Sequence, residues 1–112
     1  MIYPIKGLIM RLFGTIKLAN FVQVHASSRG PLAAWQLEAE EASWSDPQDV
    51  KARYLDAVVE PRRVVFNIKD LYKIDVTTRY ERGVLLVENV WAVTLAPKLR
   101  RSANSTPMRS RA

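Results

Sequence analysis

The sequence predicts an α+β fold, with N-terminal helices packed on one face of a small antiparallel sheet. Three observations carry that reading. At 112 residues, 48% hydrophobic and 25% charged, the chain fits one small globular domain with enough apolar content for a core of its own. Up to Tyr54 the text is dominated by good helix formers, helix caps and apolar residues at helical spacing. After Pro61 it changes to short runs of alternating apolar residues joined by tight turns, which is the pattern of an antiparallel meander. Helices first and sheet second place the helices on one face.

Taken in order, "MRLFG" (Met10 to Gly14) reads as a short strand closed by a glycine turn. Thr15 is placed to cap a helix running to about His25, with Ile16, Ala19, Phe21 and Val22 among its apolar positions. "ASSRGP" breaks it, and Pro31 suits the start of the next helix. In "PLAAWQLEAEEA", Leu32, Trp35 and Ala39 share one face. "WSDPQDV" is a helix start: Ser45 or Asp46 caps, Pro47 takes the first helical position, and Asp49 puts negative charge at the N-terminus. The strands are "RVVFNI", "YKIDVTTRY" and, beyond an "ERG" turn, "GVLLVENV". Trp35 and Trp44 are expected to pack in the core, and Phe66 to be largely buried. Trp91 stays open between packing, stacking on a base, and exposure.

Charge and composition narrow the function. The formal charge is +6, but residues 96–112 hold Lys98, Arg100, Arg101, Arg109 and Arg111 and no acid, leaving the rest nearly neutral. That stretch is expected to be a solvated tail with weak, sequence-independent affinity for polyanions. The absence of cysteine excludes disulfides and thiolate metal sites, and the single histidine, His25, excludes a histidine-rich one. No cofactor is expected. Lys6, Arg11 and Lys17 interrupt the apolar N-terminus, so neither a signal peptide nor a membrane span is expected, and the reading is cytoplasmic. Glu38, Glu40 and Glu41 read as a solvated helix face, one that a basic partner segment could use.

The central stretch carries a resemblance. Trp35, Trp44, Pro47, Asp49, Val50, Lys51 and Tyr54, followed by "RVVFNIK" from Arg63 to Lys69, are similar to the signature of HigB-type toxins of the RelE superfamily. These are the ribonuclease halves of bacterial toxin–antitoxin operons. The resemblance spans about Met10 to Tyr80 and begins where Met10 stands. It implies an extension over residues 1–9, a toxin domain over 10–95 and a basic tail over 96–112. It also implies metal-independent cleavage of mRNA, associated with the ribosome, and a helix-turn-helix antitoxin of the HigA type as partner. Such cleavage uses the RNA's own 2′-OH against the adjacent phosphate. The protein supplies positive charge for the phosphorane together with a base and an acid.

On this reading Lys69 and Lys73 are the candidate catalytic residues, and Asn67, Arg62, Arg63 and Arg79 the candidate RNA-binding ones. Strand alternation is expected to put Asn67 and Lys69 on one face, with Phe66 and Ile68 on the other. Arg62 and Arg63 read first as edge-strand charges. The chain departs from the family at Lys73, at Asp75 and in its ending. Tyr72 and Lys73 stand where the family has tyrosine and arginine, and a lysine lacks the bidentate fork; Asp75 falls where the family has an apolar residue. The Gly-Thr-His-x-x-Tyr ending that supplies the family's catalytic histidine and tyrosine is replaced by "NVWAVTLAPKL". The C-terminus is thus divergent, or shifted in reading frame after about Arg82. The alternative function is a catalytically inactive member that only binds antitoxin or RNA.

Overall fold

The computed structural model describes residues 9–93, so the tail and all but Ile9 of the expected extension lie outside the described residues. Strand β1 (Arg11–Phe13) leads into helices α1 (Ile16–Val24), α2 (Arg29–Glu41) and α3 (Pro47–Arg53). Four strands follow: β2 (Val58–Glu60), β3 (Arg63–Ile68), β4 (Tyr72–Arg79) and β5 (Val84–Ala92). The five form one sheet in the order β1-β5-β4-β3-β2. The α+β architecture with helices on one face is as the sequence predicts.

Local chemistry accounts for the helices. Asp46 caps α3 by accepting the Asp49 N–H at 3.1 Å, and the Asp49 carboxylate reaches back to the Ser45 N–H at 2.8 Å and its hydroxyl at 2.9 Å. The reciprocal bonds satisfy donors that the first helical turn leaves free. Lys51 closes the other end, donating to the Leu55 carbonyl at 2.9 Å and the Ala57 carbonyl at 3.1 Å. This gives the Pro-x-Asp-Val-Lys stretch a structural purpose in full. Thr15 occupies the N-cap of α1 but makes no side-chain cap bond. Helix α2 begins at Arg29, two residues before Pro31, because a single 3-10 turn over Ala26–Ser28 feeds directly into it.

The core lies between helices and sheet. Phe66 is fully buried, with the rings of Trp35 at 5.1 Å, Tyr54 at 4.9 Å and Trp44 at 6.1 Å from its centroid. Leu32, Val50, Val64, Ile74, Val76, Leu85 and Val87 are among the other buried residues of the same cluster. Trp35 and Trp44 are buried packing residues, as expected.

Three corrections concern the sheet. It is mixed, since β1 runs parallel to β5 through Leu12 and Leu85. Gly14 makes that approach possible: at φ +80 it sits where a Cβ would lie 2.7 Å from the Val87 carbonyl oxygen. The three-residue β2 pairs with β3 outside the meander. Arg63 therefore sits on an interior strand, so neither it nor β3 is at the edge.

Candidate nucleic-acid interface

Alternation on β3 sends Val64, Phe66 and Ile68 into the core and Arg63, Val65 and Asn67 to the opposite, open face. Register extends that face across the sheet. Asn67 pairs with Lys73 and Lys73 with Trp91, so the three form one row near the β3–β4 hairpin. Side chains directly opposite one another in such a row stand roughly 4.5–5.5 Å apart at Cβ. Lys73 is half-buried, and Trp91 is 39% exposed. Among the described residues, neither Lys69 nor Lys73 has a side-chain partner.

The hairpin corrects the expected position of Lys69. The strand stops at Ile68, and Lys69 and Asp70 both take left-handed backbone, φ 58 and φ 60. The Leu71 N–H closes the turn on the Ile68 carbonyl at 3.0 Å. Lys69 thus projects from a turn and does not continue the Asn67 face. Asn67 explains how the turn is held. Its Nδ2 donates to Asp70 at 2.8 Å and to Asp56 at 3.0 Å, tying the hairpin to the loop after α3. Left-handed backbone is disfavoured for residues with a Cβ, by roughly 1–2 kcal/mol each. Asp is among the more tolerant types, and the Asn67 bond offsets part of the cost.

The remaining candidates lie elsewhere. Arg63 pairs with Thr77 and Arg79 with Val84, toward the far end of the face, and Arg62 is in the β2–β3 turn. Six residue steps along β4 take the strand from Lys73 to Arg79, about 20 Å. Arg63 is engaged by Asp75, with Nε to Oδ1 at 2.8 Å and Nη2 to Oδ2 at 3.3 Å. That hydrogen bond, reinforced by the carboxylate's charge, raises the guanidinium's pKa further. The Arg63 side chain also covers Asp75, which is why a carboxylate on the open face is only 8% exposed. Arg79 donates to the Thr78 carbonyl at 2.9 Å. The structure therefore gathers Asn67, Lys69 and Lys73 at one corner and leaves Arg62, Arg63 and Arg79 apart from it.

Imidazole and phenol groups among the described residues point away from that corner. His25 stacks on Phe21 at 4.2 Å in the helical layer. Tyr72 is on the core face, its hydroxyl 2.7 Å from the Ser27 hydroxyl. Tyr80 is half-buried just past the far end of β4, and burial pushes its pKa up. Tyr54 donates to Glu38 on the outer surface of the helices. No group of three or more His, Cys, Asp or Glu side chains among the described residues is placed to hold a metal. No described helix is long and apolar enough to cross a membrane.

Comparison with known proteins decides the family. The profile of the HigB toxin, the RelE-like toxic component of a toxin–antitoxin system, matches residues 28–93, more than half of the chain. The chain belongs to the HigB toxin family. No curated relative matches it. The match runs past Arg82 through all of β5, whose Leu85 and Val87 are fully buried, so the family resemblance continues through that strand. As a HigB-family chain, it has an α+β fold of the RelE-like kind, with Lys73 on the open face, Lys69 on the adjoining turn, and His25 in the helical layer away from both.

Proposed function

We propose that this HigB-family chain is the toxin of a type II toxin–antitoxin pair. In this reading it is a metal-independent endonuclease that cuts ribosome-associated mRNA in the cytoplasm and arrests translation. Its partner is a helix-turn-helix antitoxin of the HigA type, and residues 10–95 form the toxin domain, preceded by the 1–9 extension and followed by the basic 96–112 tail. The observation that carries the proposal is the pair Lys69 and Lys73, without side-chain partners among the described residues, at the β3–β4 hairpin corner of the sheet.

The chemistry is that of RNA attacking itself. The 2′-oxygen bonds to phosphorus and gives up its proton, while the bond to the 5′-oxygen breaks and that oxygen takes up a proton. The products are a 2′,3′-cyclic phosphate and a 5′-hydroxyl. Lys69 and Lys73 hold the non-bridging oxygens and stabilise the charge that grows on them in the phosphorane. The proton transfers fall to water at this corner. Each missing acid or base lowers the rate by about 10²–10⁴, so the expected enzyme is slow. That same feature favours a second reading, in which the chain binds antitoxin or RNA without cutting.

Controlled expression in a bacterial host tests both. The nuclease reading expects partial growth arrest and message cleavage, both lost in the Lys69→Ala, Lys73→Ala double variant and both relieved by the antitoxin. Full toxicity in the double variant would place the active face elsewhere. Tight antitoxin binding with no effect on growth or message would establish the binding-only reading.

A further inference from the structure

Trp91 behaves unlike the other two tryptophans. Trp35 and Trp44 are buried and packed against Phe66. Trp91 is 39% exposed on the open face, and no aromatic ring or cation among the described residues covers it. An indole left on a surface at the end of a central strand forgoes the burial that ordinarily justifies so large an apolar group. Its strand neighbour on that face is Lys73, whose ammonium also has no partner among the described residues. A flat ring beside a free cation matches the repeating unit of a single-stranded nucleic acid, in which each base is followed by a phosphate.

From this juxtaposition we infer that Trp91 is the nucleobase platform of the interface. An unpaired base stacks on its indole while the adjoining phosphate meets Lys73. This rests on the proposal that the open face engages RNA, and it adds a selectivity that the lysines cannot supply. Phosphate contacts are blind to base identity and strandedness, whereas stacking requires a base free of its duplex and favours the larger purine ring. The site takes single-stranded, purine-containing RNA. Duplex RNA, its bases already stacked, is excluded from the platform. Position supports the assignment: Val93, two residues on, bonds the Leu71 carbonyl at 2.8 Å, which fixes the end of β5 against the hairpin that carries Lys69.

The test titrates the full chain with a short 2′-O-methyl oligoadenylate, which cannot be cleaved by its own 2′-oxygen, and with the matching oligouridylate. Stacking quenches indole emission and shields it from acrylamide, and Trp91→Phe removes that change because the buried tryptophans do not take part. Trp91→Ala weakens oligoadenylate binding by roughly 5- to 150-fold, Trp91→Phe by much less. Neither alters the slope of affinity against salt, since no phosphate contact is lost. Lys69→Ala and Lys73→Ala do the reverse, each lowering that slope. Emission unchanged at saturating oligoadenylate, or full affinity in Trp91→Ala while the lysine variants bind weakly, would overturn the platform. Full affinity in the lysine variants would instead overturn the RNA-binding face on which it rests.

Discussion

Lys69 stands where backbone strain and proposed function coincide. Its left-handed φ of 58 disfavours any side chain, yet a lysine occupies the position. Strain kept at such a place is the pattern expected when the side chain's orientation matters more than stability. Lys69→Gly should therefore stabilise the domain by about 1 kcal/mol, a rise of a few degrees in Tm, while RNA affinity falls. A thermal midpoint that drops would show that Lys69 packs to advantage where it stands. The sequence conceals this arrangement, because "FNIKD" continues the alternation of a strand and contains no glycine to announce a turn. The one available signal was Asp70 after two alternating residues, since Asp tolerates left-handed backbone. Asn67 was legible as a polar strand residue, but its bonds to Asp56 and Asp70 emerge only from the fold.

Among the elements, those with local chemistry were legible and those with non-local pairing were not. Helix α3 announces itself through Asp46, Pro47 and Asp49, all within four residues. Strand β2 is three residues long and ends before Pro61, too short to show a period. The parallel pairing of β1 with β5 joins segments some seventy residues apart, which no local pattern encodes. The Arg63–Asp75 pair, with Asp75 opposite Val65, likewise needs the register to be known. Between helices, Tyr54 anchors the end of α3 to Glu38 on α2, while the Arg53 guanidinium bonds the same carboxylate at 2.8 Å. Burial, then the Glu38 hydrogen bond and charge, raise the Tyr54 pKa well above its ordinary value. A raised folded-state pKa contributes stability that is complete below the unfolded value near 10 and is lost as pH climbs beyond it. Urea unfolding across pH 8 to 11.5 should show stability falling at the alkaline end. Tyr54→Phe should fall less steeply there, and equal slopes would remove Tyr54 from the account.

At the scale of the molecule, the described residues divide into a helical layer packed on one side of the sheet and, opposite it, the open face of the strands. Trp35 joins the two layers through Phe66, so Trp35→Ala should cost about 3–5 kcal/mol, enough to unfold much of a domain this small. A soluble, fully folded variant in chemical denaturation would mean that α2 is held by something other than its tryptophan. Under the proposed function, this division also sets where RNA would bind. The most direct test is a backbone amide NMR titration of the chain with uncleavable single-stranded RNA. Binding at the open face predicts shifts concentrated at Asn67 to Lys73 and Asn89 to Trp91, with α1 and α2 unmoved. Shifts confined to α1 and α2, with the hairpin corner silent, would contradict it.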